Sequence, residues 1–287
     1  MYAIAGVTGH TGSVAADTLL AQGKPVRVLV RDAAKGDAWR ARGAEVAVAS
    51  LEDEDAMTRA LTGVEGAYLL LPPNEASVDP VGDSARRVRT LAAAIRASKV
   101  PHVVFLSSMG AHLDGATGPI KTLHAAEREL AATGTALTVV RPAYFQENWA
   151  GSLGALPQGL LPTFVPADLA FPQVSTKDIG RTVAAALVEG ATSPSVLELA
   201  GPRDLSSNDV AAAVSAITGA TVVARDAGLD AVVPTFTSFG LSPVFAELYR
   251  EMYAGIASGY ITWQGGESRS VRGTVDIADT LRALLQR

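Results

Sequence analysis

The sequence predicts an α/β fold: a doubly wound parallel sheet with a smaller, mainly helical region after it. Three observations predict it. Short apolar runs alternate with Ala-rich amphipathic segments through the first half of the 287-residue chain, as parallel strands joined by crossover helices require. Three glycines spaced G-x-x-G-x-x-G follow the first apolar run at once and open the first helical segment. After about residue 150 the texture changes, with Gly151, Gly154, Pro157, Gly159, Pro162 and Pro166 crowded together before periodic structure resumes.

In chain order, the strands read as Tyr2 to Gly6, Val26 to Val30, Glu45 to Val48, Ala67 to Leu71, His102 to Ser107 and Leu137 to Arg141, each followed by a helix candidate. Right-handed crossovers then wind the sheet in both directions. The first helix covers Ser13 to Gln22. Asp79 through Ser98 carries Val88, Leu91, Ala92 and Ile95 at helical spacing, and Pro101 follows its end. The polar face of that helix holds Arg86, Arg87 and Arg89, which read as solvated side chains. Further helices are expected at Lys177 to Glu189, Ser206 to Thr218, Pro243 to Ser258 and Val275 to Leu285, with a short strand near Val196 to Ala200. Ser206 is the expected N-cap of its helix, and Gly190 and Gly219 are expected helix stops. The domain reading is a nucleotide-binding unit over 1–150 and a smaller substrate-binding region over 151–287, whose segments can return to the first unit.

Composition narrows the function classes. Hydrophobic residues make up 48% and charged residues 18%, which suits an ordered globular core. The formal charge is −5 and the arginines are scattered, so no footprint for a nucleic-acid backbone exists. The chain has no cysteine, which removes disulfides, thiolate nucleophiles and Cys-held zinc or iron–sulfur centres; no metal is expected. No segment approaches the roughly 18 apolar residues that span a bilayer. The N-terminus enters MYAIAGVTGH directly, so the expectation is a cytoplasmic protein with a small-molecule ligand and no membrane partner.

The turn Gly6-Val7-Thr8-Gly9-His10-Thr11-Gly12 lies between the first strand and the first helix, where its spacing has physical meaning. Gly6 permits the tight exit from the strand, Gly9 lets backbone approach a pyrophosphate, and Gly12 lets helix and strand pack closely. The helix N-terminus offers free N–H groups to the anion. This is the phosphate-binding turn of a Rossmann domain, with Thr8, His10 and Thr11 beside the dinucleotide. The second strand ends in Arg31 where an NAD-preferring fold places an acidic residue on the ribose. A guanidinium suits a 2′-phosphate, with Lys35 as a second positive charge, so the expected cofactor is NADPH ahead of NADH. The competing reading pairs Arg31 with Asp32 at the surface.

These residues resemble the NmrA-like atypical short-chain dehydrogenases, a family that includes NADPH-dependent quinone reductases and redox-sensing regulators. The resemblance rests on GVTGHTG at 6–12, LVRDAAK at 29–35, VVFLSSMGA at 103–111 and VVRPAYFQEN at 139–148, which is similar to the family's R-P-x-x-F-x-E-N segment. Looser agreement runs through 175–187, 197–219 and 256–261, and the match is nearest the quinone-reductase branch. The resemblance implies that Leu71, Pro72 and Pro73 lie beside the dinucleotide, with Ser107 and Ser108 near the nicotinamide. Strand carboxyl ends are where open α/β sheets bind ligands in any case. Both serines also read as turn residues that cap backbone groups.

Departures from the family bear on mechanism. No tyrosine stands between Tyr68 and Tyr144, so the Tyr-x-x-x-Lys pair of typical short-chain dehydrogenases is missing. In relatives that keep only the lysine it precedes a helix glutamate by four residues, and counting back from Glu127 gives Leu123. Lys121 and His124 flank that position. His124 is the candidate proton donor, with Ser108 as the other catalytic candidate; a structural role for the histidine stands beside this reading. Ser50 takes the place of the acidic residue that relatives use near the adenine.

The function expected is hydride transfer from NADPH to a quinone or similar electron-poor acceptor, which can take its proton from water or a weak donor. Met109, Tyr144, Phe145, Phe171 and Asn148 are the expected acceptor walls, although each can serve the core, Phe145 above all. The alternative is an NADP(H)-sensing regulatory binding protein of the NmrA type, without turnover. A third reading, an isomerase or biosynthetic reductase for a specialised metabolite, uses the same fold.

Overall fold

In the computed structural model, which describes residues 1–192 and 195–286, strands and helices alternate from the first residues. They are β1 (Tyr2–Ile4), α1 (His10–Ala21), β2 (Val26–Val30), α2 (Asp37–Arg40), β3 (Glu45–Val48), α3 (Glu54–Leu61), β4 (Gly66–Leu69), α4 (Pro80–Ser98), β5 (His102–Leu106), α5 (Ile120–Ala131) and β6 (Ala136–Pro142). The chain continues through β7 (Tyr144–Phe145), a 3-10 stretch over Gln146–Gln158, β8 (Leu160–Thr163), β9 (Gln173–Val174), α6 (Thr176–Glu189) and β10 (Val196–Ala200). It ends with α7 (Ser207–Thr218), β11 (Val223–Asp226), α8 (Val232–Ser238), α9 (Pro243–Ala257), β12 (Arg269–Arg272) and α10 (Ile277–Leu285).

Eight strands form one sheet in the order β12-β10-β6-β5-β4-β1-β2-β3, with every pairing parallel. The winding direction reverses between β1 and β4, and the crevice outside the strand ends at that reversal is where such sheets take ligands. Both faces are covered, so the central strands are apolar throughout rather than alternating. Ile4, Tyr68 and Val104 point to one face, where Leu19 of α1 and Ile179, Val183 and Leu187 of α6 pack. Ala3, Leu69 and Phe105 point to the other, against Met57 of α3, Leu91 and Ile95 of α4 and Leu130 of α5. The helix α1 can approach α6 because residue 180 is glycine: a Cβ there would lie 2.7 Å from the Thr11 carbonyl oxygen.

Element ends differ from the sequence reading for local reasons. β1 stops at Ile4 because Gly6 takes φ of 68°, outside the extended region. Asp79 is an N-cap rather than a helical residue, its side chain accepting from the Gly82 amide; Ser175 caps α6, whose first residue is Thr176. Ser206 is the N-cap of α7, and Gly190 and Gly219 terminate α6 and α7, as expected. Beyond β6 and before α9 the chain also forms two small sheets, β7 with β9 and β8 with β11, and β10 lies between β9 and β11 in sequence. The main sheet draws β10 from that part of the chain and β12 from beyond α9. β12 escapes a pattern search because its run R-S-V-R has one apolar residue and forms an edge. Buried Asp178 anchors the chain just beyond β12, its carboxylate accepting from the Thr274 and Val275 amides at 2.9 Å each.

Candidate functional site

At the switch point a groove of about 770 Å3 runs across the strand carboxyl ends. Gly6, Thr8, Gly9, His10 and Thr11 form its floor after β1. A Cβ on Gly9 would meet only the Gly6 carbonyl oxygen, at 3.4 Å, so its Cα faces open space. Gly12 lies behind the lining: a Cβ there would sit 2.5 Å from the Ala5 oxygen and the Gly6 carbonyl carbon. Gly9, the N-cap of α1, supplies no side chain to cap the first-turn amides. Thr11 Oγ1 shares a 2.9 Å hydrogen bond with the hydroxyl of fully buried Tyr68, whose pKa burial pushes well above the ordinary tyrosine range. That bond ties the turn to the middle of the sheet.

Arg31 lines the groove beyond β2 and is exposed. Asp32 is turned elsewhere, accepting from the Ala34 amide at 3.0 Å, so the expected alternative pairing is not made among the described residues. Lys35 is exposed and outside the lining. Ser50, Leu51 and the buried Met57 make the wall after β3, and Leu71, Pro72 and Pro73 the wall after β4.

A second cavity of about 390 Å3 opens from the groove and shares Leu71, Pro72, Pro73, Asn74, Arg87, Ser107, Leu123, Phe145 and Asn148 with it. Its far wall is one face of α9, where Phe245, Leu248, Tyr249 and Met252 recur at helical spacing. Tyr144 lines it as well, its ring held edge-on by Phe171 at 5.5 Å and Trp149 at 6.4 Å. Burial pushes the Tyr144 phenol above its ordinary pKa, against the opposing hydrogen bonds from Tyr253 and Asn148.

Ser107 lines both spaces, and its hydroxyl donates to Glu127 Oε1 at 2.5 Å. Glu127 in turn holds Arg141 through a fork, Nε at 2.9 Å and Nη2 at 2.5 Å, and Arg141 Nη1 donates to Gln264. Ser107 therefore presents lone pairs to a ligand. Ser108 lines the cavity while donating to the Met109 carbonyl at 3.0 Å.

The structure brings together most of the residues singled out from sequence, but not all. His124 lies outside both linings; its Nδ1 is 2.8 Å from the Ala111 carbonyl oxygen and its Nε2 3.8 Å from Asp114. The same helix turns Thr122 and Leu123 to the cavity instead. Met109 and Phe171 are core residues that pack behind the wall. Arg87 corrects the reading of its helix face as solvated: it lines both spaces, is 17% exposed, and donates to the Pro72 carbonyl and to Glu52 at 3.1 Å each.

Glu147 was not singled out, although it stands in the quoted RPAYFQEN segment. It lines the groove and closes the N-terminus of α6: its carboxylate accepts from Ser175 Oγ at 2.9 Å, Thr176 Oγ1 at 2.6 Å and the Thr176 amide at 2.9 Å. Thr176 lines the groove beside it.

The comparisons with known proteins agree on the architecture. The NmrA-like family matches residues 2–252 of the chain. An NAD(P)H azoreductase of Xenophilus azovorans is 29% identical over 258 residues, which cover 86% of this chain and 85% of that protein. Quinone oxidoreductase 2 of Escherichia coli K12 is 27% identical over 265 residues, 90% of this chain and 89% of that protein. A crystal structure of an NADPH-dependent quinone oxidoreductase from Escherichia coli, complexed with NADPH, superposes with a TM-score of 0.83 at 24% identity, over 99% of this chain and all of that one (100%). That likeness establishes the Rossmann-like fold.

Proposed function

The chain belongs to the NmrA-like family, and from that premise we propose that it is an NADPH-dependent oxidoreductase that passes hydride to a quinone or similar electron-poor acceptor. One observation carries the reading: the long groove at the switch point and the aromatic cavity share a seam of nine residues, so that a dinucleotide in one would present its end to a ring in the other. The names of two relatives at 29% and 27% identity, an azoreductase and a quinone oxidoreductase, support the same class.

The turn fits a diphosphate on its own geometry. The open side of Gly9, the uncapped amides of His10, Thr11 and Gly12, and the close helix approach at Gly12 form a cradle that a side chain would fill. Arg31 would hold the 2′-phosphate, which is what favours NADPH over NADH. When bound, a reduced nicotinamide supplies the hydride. Ser107, an acceptor because Glu127 takes its hydrogen, suits a carboxamide N–H, and Pro72 and Pro73 shape the opposite side of the seam. Phe145, Tyr249 and Met252 would hold a flat acceptor by area burial, at about 25 cal/mol per Å2 of apolar surface. No helix among the described residues is long and apolar enough to cross a membrane.

The test is calorimetry with NADPH and NADH followed by steady-state NADPH oxidation with a panel of quinones. Tight NADPH binding and acceptor-dependent oxidation are expected. Binding with no turnover on any acceptor would replace this reading with the regulatory one.

A further inference from the structure

Hydroxyl groups around the seam are not equivalent. Ser107, Ser108 and Thr122 all line the cavity, and all three give their hydrogens to the protein: to Glu127, to the Met109 carbonyl, and to the Pro119 carbonyl at 2.8 Å. Each shows only lone pairs to a bound molecule. Tyr249 also lines the cavity and gives its hydrogen to Glu75 at 3.4 Å, and Ser84 lines it from α4.

Tyr144 is different. Its oxygen lies 3.2 Å from that of Tyr253, a residue of α9 that is buried behind the cavity wall rather than in it. Tyr253 is buried, and among the described residues its hydroxyl has Tyr144 as its one hydrogen-bond partner, so a Tyr253 hydrogen aimed anywhere else would be buried without an acceptor; Tyr253 therefore acts as donor. With Tyr253 giving its hydrogen to the Tyr144 oxygen, the Tyr144 hydrogen must point elsewhere. The open side is the cavity, which Tyr144 lines together with Asn148, a residue of groove and cavity alike. Phe171 and Trp149 fix the ring in that attitude.

We infer that Tyr144, with Asn148 beside it, is the donor that receives the acceptor's carbonyl oxygen, and that Tyr253 is the positioning residue that turns the Tyr144 hydrogen into the cavity. This rests on the reading of the cavity as the acceptor site. Hydride from the reduced nicotinamide forms a C–H bond on the conjugated acceptor, the carbonyl π bond opens, and its electron pair settles on oxygen; the nicotinamide is oxidised and the acceptor reduced. Tyr144 stabilises that oxyanion by a hydrogen bond and keeps its own proton, because burial makes it a poor acid. Water supplies the proton that completes the hydroquinone.

The experiment compares wild type, Tyr144→Phe, Tyr253→Phe and Asn148→Ala in two measurements. The first is quinone turnover with saturating NADPH; the second is calorimetric binding of para-nitrophenolate, a stand-in for the product oxyanion, to the protein saturated with NADP+. Loss of one oxyanion donor costs about 10²-fold in kcat, so Tyr144→Phe should fall by roughly that factor and bind phenolate at least about tenfold more weakly, with NADP+ affinity unchanged. Tyr253→Phe should lower kcat by a smaller factor at unchanged KM, as a positioning role demands. Asn148 is exposed, so its variant tests the same oxygen site without touching the core. Phenolate binding unaltered in both Tyr144→Phe and Asn148→Ala would overturn the inference. Wild-type protein that binds phenolate through Tyr144 yet oxidises NADPH with no quinone would instead sink the proposed reaction, and the two failures are separate.

Discussion

The sharpest test of the phosphate-binding turn sets Gly9→Ala against Gly12→Ala, because the two glycines serve different partners. At Gly12 the added Cβ would lie 2.5 Å from backbone atoms of Ala5 and Gly6, nearly an ångström inside ordinary contact, which begins at 3.4 Å. Backbone cannot rotate aside as a side chain can, so α1 must lift from the strand exit. Overpacking of this kind costs about 1–3 kcal/mol, and for a chain of this size each kcal/mol lowers Tm by about 2–4 °C. At Gly9 the Cβ meets only one protein atom, at the contact limit, and φ of −107° suits alanine. There the weaker N-cap preference of alanine and the entropy lost from the unfolded glycine are each below about 1 kcal/mol and opposite in sign, so stability stays nearly constant. The Gly9 methyl group does, however, enter the space a diphosphate would occupy. Losing one charge-assisted amide–phosphate bond is worth about 1.5–3 kcal/mol, or about 10- to 150-fold in Kd. Urea denaturation and NADP+ calorimetry on both variants read the two effects separately. Gly9→Ala with wild-type affinity would refute the placement of the diphosphate against this turn.

Other tests address single side chains. Arg31→Asp should weaken NADPH binding far more than NADH binding in calorimetry, and equal losses would reassign Arg31 to the surface. Glu147→Gln keeps an acceptor for Thr176 but not the charge, so it should lower the urea midpoint by the equivalent of about 1–2 kcal/mol, and Glu147→Ala by more, since three donors then lose their partner. His124→Ala should leave kcat within about twofold, because the ring bonds Ala111 and lies outside the cavity lining. Burial lowers the pKa of His102, whose Nε2 pairs with Thr138 Oγ1 at 2.9 Å, and of His112. The unfolded chain therefore binds more protons than the folded one as pH falls below about 6.5, so stability should drop through that window, and His102→Gln should flatten the drop in urea midpoint.

Much of this molecule was legible because it follows local rules. Glycine spacing, apolar runs buried on both faces, and caps at Ser206 and Gly219 are determined within a few residues of chain, and those elements stand close to where the pattern puts them. The misses share a cause: they depend on partners distant in sequence or on helical phase. Glu147 becomes meaningful only when α6 begins at its side, 29 residues later. Tyr253, unlike Tyr144, was not singled out, because it gains meaning only from the Tyr144 hydroxyl 109 residues away. On α5, one step of about 100° separates Leu123, which faces the cavity, from His124, which does not, and a chemical argument from residue type cannot see that rotation. Arg87 belongs to a run of arginines that share a composition but not a direction, and only the groove's position distinguishes it.

The four-residue stripe of α9 has an implication for how a reductase of the proposed kind would diversify. Phe245, Leu248, Tyr249 and Met252 hang from one helix that touches the cavity and contributes nothing to the groove lining. Under the proposed function, exchanging those side chains would redraw the shape offered to an electron acceptor while leaving the groove lining intact, so preference for one ring system over another would be adjustable on about two turns of one helix.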